Sequence, residues 1–263
     1  MVDPIAIFLF VLGALFGSFA NVVIYRWPKG ESVIRPGSHC GSCQKPVAWY
    51  DNVPIFAWLY LRGRCRQCGA AYSIRYPLVE LLMAVAFTAL YLKIGHQWIL
   101  LEYLIFAFGL ITASFIDLDH MLLPDVFTLS GIGLGLLGAL LNPERSFWPS
   151  LWGVLLGGGA LWAVASIYAA LRKQEGMGGG DIKLLAWIGA VLGWTSVPFV
   201  IISSSLIGSL IGLTVVAVKK KGLDYAIPFG PFLAIGAILY IFVGHAAAQM
   251  YLRFFIPSLD SLN

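Results

Sequence analysis

The chain has 263 residues, of which 59% are hydrophobic and only 11% are charged. A soluble domain of this length needs more charged side chains to cover its surface, so the composition excludes a soluble globular protein and predicts a membrane protein. The formal net charge of +4 does not indicate nucleic-acid binding, because the basic residues cluster by loop and do not follow one polar face.

Eight apolar segments approach the length of a membrane-spanning helix, which needs roughly 20 mostly apolar residues. They are 5–24, 78–92, 98–116, 125–141, 150–171, 181–192, 197–218 and 229–251. The first has Asp3 and no basic residue at its amino end, and no small-residue cleavage site follows it, so we interpret it as a retained helix and not as a signal peptide. The predicted fold class is an all-α polytopic membrane bundle of about eight helices with one small cytosolic loop domain.

The basic residues predict the orientation of this bundle. With the amino terminus outside, fourteen Lys and Arg residues face the cytosol, including Lys219, Lys220 and Lys221, and three face outward, including Arg253. Basic residues are retained on the cytosolic side during insertion, so both termini are expected outside. The predicted domains are a first helix at 1–25, a cytosolic loop domain at 26–77 and a membrane bundle at 78–263.

Glycines are frequent in two of the apolar segments, at positions 131, 133, 135 and 138 and again at 157, 158 and 159. Small residues let membrane helices approach closely, so these glycines predict helix packing and not catalysis. The chain contains no internal repeat.

All four cysteines lie in the 26–77 loop, as the pairs Cys40/Cys43 and Cys65/Cys68 with 21 residues between them. Two Cys-x-x-Cys turns at such a spacing are typical of a zinc ribbon, in which four thiolates close a tetrahedral site. Two disulfides or four inert thiols are the alternative, but a cytosolic location disfavours disulfides. We therefore predict a structural zinc, and the adjacent His39 would be a superfluous fifth ligand.

Two aspartates stand at the cytosolic edge of apolar segments, where a carboxylate is costly unless it is exposed, paired or functional. Asp117 follows the segment 98–116, and Asp181 follows glycines at 176, 178, 179 and 180. Asp119 lies about 200° further round a helix than Asp117, so only one of the two faces the bundle interior. Asp125, after Pro124, fits a structural role at a helix start.

Asp117 and Asp181 suit aspartic-protease chemistry if the fold brings them together. Two neighbouring carboxylates share one proton, so the ionised member can activate water while the protonated member polarises the scissile carbonyl. Because Asp181 opens a helix, we predict that it is the ionised member. From spacing alone, a proton relay in a transporter fits equally well, and a non-enzymatic assembly factor is a further alternative.

These residues stand within motifs that resemble the bacterial type IV prepilin peptidases, a group of GxGD-type intramembrane aspartic proteases. The resemblance covers nearly the whole chain. Its motifs lie at 17–26, 49–54, 61–65, 75–80, 123–125, 178–184 and 228–232, together with the two cysteine pairs and Asp117.

The resemblance implies that Asp117 and Asp181 are catalytic. It places Gly178, Gly180, Lys183 and Glu80 in motifs that support the substrate or the active site, although snorkelling or capping explains the last two equally well. It implies removal of a short basic leader from prepilins and pseudopilins of type IV pili or type II secretion, after a glycine, at the cytosolic face of the bacterial inner membrane. Many relatives also methylate the new amino terminus with S-adenosylmethionine, for which no binding residues are assigned. The implied partners are these substrates and the lipid bilayer; the oligomeric state stays open.

Overall fold

The fold is given by a computed structural model that describes residues 3–173, 178–219, 227–244 and 246. These residues form helices and connecting loops, without a β-strand among them. The helices are α1 (Pro4–Arg26), α2 (Phe56–Tyr60), α3 (Arg75–Ile94), α4 (Ile99–His120), α5 (Asp125–Leu141), α6 (Phe147–Arg172), α7 (Gly179–Leu192), α8 (Ser196–Lys219) and α9 (Gly230–Leu239). A single wider turn, Tyr240–Gly244, extends α9.

The eight predicted apolar segments lie at the eight helices other than α2, which confirms the all-α polytopic fold class. Five of these helices, α1, α3, α4, α6 and α8, are long and apolar enough to cross a membrane by length and composition. The other three are shorter, and α7 has only 14 residues. The predicted end of the last segment at residue 251 lies outside the described residues, as do Gly176, Lys220, Lys221 and Arg253.

The described chain divides into two compact units at the Ile116–Asp117 bond. In the first unit, α1 and α3 lie in close contact. Gly13 and Gly17 permit this approach, because a Cβ at Gly17 would lie 2.6 Å from the Cα of Glu80 and a Cβ at Gly13 would lie 2.7 Å from the Cα of Ala84. The spacing of four residues puts both glycines on one face of α1, which is a frequent basis for helix pairing in membranes.

Hydrogen bonds tie both ends of this helix pair and show that the two helices are antiparallel. At one end the Asn21 amide donates to the Tyr76 carbonyl at 3.0 Å. At the other end the Tyr91 hydroxyl donates to the Asp3 carboxylate at 2.6 Å. The segment between α1 and α3 therefore begins and ends at the same end of the pair.

In the second unit, α7 is the central helix and contacts α5, α6, α8 and α9. Residues 184–191 of α7 are all buried, as expected for a short helix that is apolar on every face. Gly153 on α6 and Gly189 on α7 lie against each other with no room for a Cβ at either position. This close approach fixes α7 near its carboxyl end, and the opposite, amino end carries Asp181.

The predicted packing role of the glycines is confirmed at some positions only. Gly131 lies against the Trp187 ring, Gly135 against Ala190, and Gly157 against the Leu185 backbone. At Gly133 and Gly159 the prediction is wrong for the part of the chain that the structure describes, because a Cβ at either position would meet no atom of it within 4 Å. The glycines that pack are those that face α7.

Candidate active site and metal centre

Asp117 lies in the last helical turns of α4 and is buried, with 5% of its surface exposed. Its Oδ2 accepts a hydrogen bond of 3.1 Å from the backbone N–H of Gly230. Asp119, two residues further, is exposed. The prediction that only one of these two aspartates faces the interior is therefore confirmed.

Gly230 is the first residue of α9 and is followed by Pro231. Its N–H is one of the amino-terminal donors that a helix leaves without an internal acceptor, so it is available to the Asp117 carboxylate. A Cβ at this position would lie 2.7 Å from Asp117 Oδ2 and 3.1 Å from the Leu123 side chain. Only glycine fits here while the hydrogen bond is kept.

Asp181 lies in the first turn of α7, half-buried, within the electrostatic range of Asp117. Its Oδ1 is buried and has no hydrogen-bond partner among the described residues. The preceding Gly180 lies against Leu123, whose Cβ would be 2.9 Å from a Cβ at position 180. Leu123 thus contacts both Gly180, which precedes Asp181 in the chain, and Gly230, which donates to Asp117. The two acidic residues that the sequence singled out therefore lie in one site.

The surroundings of the pair differ from the sequence-based expectation that Asp181 is its ionised member. The hydrogen-bond donor stands at Asp117, whereas Asp181 Oδ1 is buried and unpartnered among the described residues. The donor to the pair belongs to α9, because the N–H of Gly230 at the start of α9 bonds to Asp117 near the end of α4. The expectation rested on the position of Asp181 in its own helix and did not include this third element.

The other residues predicted to support the site lie at different positions in the fold. Gly178 is the residue before α7, in an extended conformation. Asp125 is the first residue of α5, the helix start at which a structural role was predicted for it. Its ion pair of 2.6 Å with Lys183 was not predicted from the sequence. Glu80, in the first unit, is buried on α3, and its carboxylate accepts a hydrogen bond of 2.7 Å from the Ile55 N–H.

The four cysteines form one cluster, with their Sγ atoms all within 4.8 Å of one another. The two Cys-x-x-Cys turns have the same hydrogen-bond pattern shifted by 25 residues. In the first turn the Cys40 N–H donates to the Lys45 carbonyl at 2.9 Å, and in the second the Cys65 N–H donates to the Ala70 carbonyl at 2.8 Å. The flanking bonds, Val47 N–H to Ser38 and Tyr72 N–H to Gly63, repeat at the same shift.

This cluster fits a metal ion. A zinc ion bound at about 2.3 Å by four thiolates holds the sulfur atoms about 3.8 Å apart, and Cys40 Sγ lies 3.7 Å from Cys68 Sγ. Backbone N–H groups of Cys43 and Ser42 lower the pKa of the Cys40 thiol to about 6. Those of Cys68 and Gln67 lower the pKa of Cys65 in the same way. Donors that stabilise thiolates favour cation binding.

His39 is not part of the cysteine cluster. Its Nδ1 lies 3.1 Å from the Gly37 carbonyl. A four-sulfur site has no open position, so the expectation that His39 is not a ligand agrees with the geometry.

Two contacts of the acidic site were not predicted from the sequence. Gly230 lies in the motif 228–232, which marked it as notable without indicating a role. Leu123 lies in the motif 123–125, and its residue type alone indicates only an ordinary apolar contact. Nothing local in either segment indicates that Gly230 lies against Asp117 or that Leu123 lies against both Gly180 and Gly230.

Two family models match this chain. One, described as the bacterial peptidase A24 N-terminal domain, matches residues 11–94, and the other, described as the type IV leader peptidase family, matches residues 104–213. No solved structure matches the chain.

Several relatives match over nearly their whole length. A protein of Aeromonas hydrophila is 38% identical over 94% of both chains. A protein of Neisseria gonorrhoeae is 40% identical over 86% of both, and one of Pseudomonas aeruginosa is 34% identical over 93% of this chain and 92% of its own. All three are described as prepilin leader peptidase/N-methyltransferase. With this identity and coverage, and with the acidic pair and the cysteine cluster in place, the chain belongs to the type IV leader peptidase family.

Proposed function

We propose that this chain is a membrane-embedded aspartic endopeptidase that removes the basic leader of type IV prepilins and pseudopilins after a glycine, and that it N-methylates the new amino terminus. The observation that carries the peptidase activity is the pairing of buried Asp117, held by the Gly230 N–H, with Asp181 at the start of α7. The names of the relatives support both activities.

In the proposed reaction, Asp117 is ionised and Asp181 holds the shared proton. The Gly230 N–H stabilises negative charge on Asp117, and the unpartnered Asp181 Oδ1 suits a neutral carboxyl group. Asp117 removes a proton from water, the resulting oxygen attacks the scissile carbonyl carbon, and Asp181 protonates the carbonyl oxygen. When the tetrahedral intermediate collapses, the C–N bond breaks, Asp117 protonates the leaving amine, and the hydroxyl returns its proton to Asp181.

The residues around the pair support it in different ways. Gly180 and Lys183 fix the start of α7 through Leu123 and Asp125. A Cβ at Gly179 would meet no atom within 4 Å, and one at Gly178 would only reach the Gly180 N at 4.0 Å. Among the described residues, this leaves space beside Asp181 for an extended substrate segment. Glu80 acts within the first unit, through its bond to Ile55.

Two further components belong to this proposal. Cys40, Cys43, Cys65 and Cys68 hold a structural zinc ion, which closes the loop fold and leaves no position for substrate. S-adenosylmethionine supplies the methyl group when bound. The described residues contain no strand–loop–helix unit of the kind that binds nucleotides, so no residue is assigned to the donor and no step is derived through it.

The proposed location is the bacterial inner membrane, with the acidic pair at the cytosolic side and both termini in the periplasm. The unequal distribution of basic residues between loops supports this orientation. The proposed domains are the first helix at 1–25, the zinc loop at 26–77 and the peptidase bundle from 78 to 263.

The two alternative functions, a proton-coupled transporter and a non-enzymatic assembly factor, are not supported by these observations. A proton-coupled transporter is not indicated by the family or by the relatives, which are named as enzymes. A non-enzymatic assembly factor leaves the clustering of Asp117 and Asp181 without a purpose, because burying neighbouring carboxylates costs free energy.

The proposal is tested by incubating the purified protein with a prepilin and following leader removal by mass, with and without S-adenosylmethionine. Wild type is compared with Asp117→Asn, Asp181→Asn and the matched control Asp119→Asn, which changes an exposed aspartate on the same helix. We expect cleavage by wild type and the control only, and a gain of one methyl group only with the donor. Cleavage that survives in either of the first two variants would remove that aspartate from the mechanism.

A further inference from the structure

The short helix α2 displays its large apolar side chains to the outside. Phe56, Leu59 and Tyr60 occupy one helical face at spacings of three and four residues, and their exposed fractions are 70%, 59% and 78%. Trp49, just before α2, is 82% exposed. Exposed apolar side chains gathered on one helical face of a basic loop mark an interaction site.

These side chains form one continuous surface with a neighbouring arginine. The Arg66 guanidinium lies over the rings of Tyr50 and Tyr60, 5.5 and 5.7 Å from their centroids. Trp49 packs edge-on against Tyr50. We call this group, Trp49, Tyr50, Phe56, Leu59, Tyr60 and Arg66, the α2 surface.

The outward orientation of α2 is held by specific contacts. Trp58, on the opposite side of α2, lies against Gly63, and its indole N–H donates to the Tyr72 carbonyl at 3.4 Å. Ile55, directly before α2, has a φ of 65°, which is rare for a β-branched residue. The buried Glu80 carboxylate accepts its N–H and fixes this conformation. The surface is therefore preformed.

The charge of the segment that carries the α2 surface indicates the charge of its partner. The segment from 26 to 77 contains eight Lys and Arg residues against two acidic ones, Glu31 and Asp51. Asp51 is already bound by Arg66 through three charge-assisted hydrogen bonds of 2.6, 2.8 and 3.1 Å. Arg62 and Arg64, which follow α2, are exposed. The partner must be anionic, which excludes the basic leader of a prepilin as the occupant of this surface.

The position of the 26–77 segment between two candidate membrane spans narrows the choice of anionic partner further. The segment leaves α1 at Arg26 and enters α3 at Arg75, and both are candidate membrane spans whose adjoining ends lie on the same side. It is thereby tethered at a bilayer surface at both ends. Tyr and Trp favour the head-group region, and basic residues are attracted to anionic lipids.

We infer that the α2 surface docks on the anionic head groups of the membrane that anchors the chain, and that it holds the cysteine module against the bilayer. The aromatic side chains enter the head-group region, and Arg62 and Arg64 contact lipid phosphates. This docking does not depend on the chemistry of Asp117 and Asp181.

The test uses the full chain in lipid nanodiscs of phosphatidylcholine alone or mixed with phosphatidylglycerol, and measures amide hydrogen exchange. Exchange in residues 55–62 is expected to slow by about fivefold or more in the anionic discs, the fold-change that one basic residue near an anionic surface corresponds to. The double variant Phe56→Ser/Tyr60→Ser should lose this slowing. Amides of the first cysteine turn, such as those of Cys40 and Val47, report in the same experiment whether the module is still folded.

Two controls make the result decisive. Trp98→Ser changes a similarly exposed aromatic residue beyond the opposite end of α3 and should keep the slowing. Asp117→Asn should keep it as well, so a failure of the proposed peptidase is distinguishable from a failure of docking. Equal exchange in neutral and anionic discs would overturn the inference, and so would protection that appears only when a prepilin peptide is added to neutral discs, since that would indicate a protein partner.

Discussion

The backbone N–H of Gly230 donates a 3.1 Å hydrogen bond to Oδ2 of Asp117, although the two residues are 113 positions apart. This bond joins the start of α9 to the end of α4 and distinguishes the environments of the two aspartates. Asp117 has a donor, and Oδ1 of Asp181 has none among the described residues. The asymmetry gives each carboxyl group its own part in the proposed reaction.

Gly230→Ala is expected to reduce prepilin cleavage by roughly 100-fold or more, because displacement of a catalytic group by about 1 Å has effects of this size. The added Cβ would lie 2.7 Å from Asp117 Oδ2, so the carboxylate must move. Cleavage rates are measured against Gly133→Ala, whose Cβ meets no atom within 4 Å. If Gly230→Ala cleaves as well as this control, the hydrogen bond does not position Asp117.

Gly153→Ala is expected to lower the free energy of unfolding by about 1–3 kcal/mol, the usual cost of overpacking a closely packed site. The added methyl group must separate α6 from α7, because Gly153 and Gly189 lie in direct backbone contact. Gly159→Ala on the same helix has free space and serves as the matched variant. The measurement is unfolding in detergent, and equal stability of the two variants would contradict the described packing.

The purified chain is expected to contain one zinc ion, measured by elemental analysis, and Cys40→Ser should lose it. Ser42→Ala is the control, since Ser42 contacts the site through its backbone N–H, which the substitution keeps. The metal contributes roughly 10 kcal/mol of apparent folding free energy in small modules of this kind. Its removal by a chelator should therefore unfold the loop around the cysteine turns, which limited proteolysis detects. Full metal content in Cys40→Ser would rule that thiol out as a ligand.

Metal release should depend on pH through the thiolates. The pKa of Cys40 is lowered to about 6 without metal, so its thiolate stabilises the fold above the ordinary thiol pKa, and this contribution is lost as the pH falls to about 6. Bound metal favours the thiolate form of all four ligands, so release is expected only well below the ordinary thiol pKa. The thiolate absorption of the cobalt-substituted protein measures the midpoint of release. Release above pH 7 would contradict the N–H contacts at Cys40.

Lys183→Met and Asp125→Asn are expected to reduce stability equally and by less than about 1 kcal/mol, as is usual for a solvent-exposed ion pair. The two residues pair at 2.6 Å and are both partly exposed. The double variant should cost no more than either single one, which a double-mutant cycle on unfolding tests. A loss of cleavage in Lys183→Met that Asp125→Asn does not share would instead indicate that Lys183 contacts the substrate.

Glu80→Ala is expected to increase hydrogen exchange at the Ala57 amide by about tenfold, since loss of a buried hydrogen bond to a carboxylate costs on the order of 1.5 kcal/mol. Ala57 lies in the turn that Ile55 begins, and its N–H donates to the Val53 carbonyl at 3.0 Å. Glycine adopts a positive φ without strain, so Ile55→Gly should restore slow exchange in the Glu80→Ala background. Glu31→Ala, an exposed acidic residue of the same loop, is the control. Absence of rescue would show that the strain at Ile55 is not what Glu80 offsets.

The sequence by itself determined the helices, the cysteine ligand set and the two aspartates. Apolar length is a local property that sets where a membrane helix forms, and the spacing Cys40/Cys43 and Cys65/Cys68 is enough to predict two matching turns. Asp117 and Asp181 were recognisable because a carboxylate at the edge of an apolar segment is costly, whatever the rest of the fold.

Only the tertiary structure decided which groups surround these residues. Gly230 supplies the donor to Asp117, and Leu123 packs against both Gly180 and Gly230. The partner of Glu80 is the strained Ile55. Each contact joins segments that are distant in sequence or unremarkable in it. Hydrogen bonds and close packing depend on distances below about 4 Å, and such distances follow from how the helices meet and not from the pattern along any one of them.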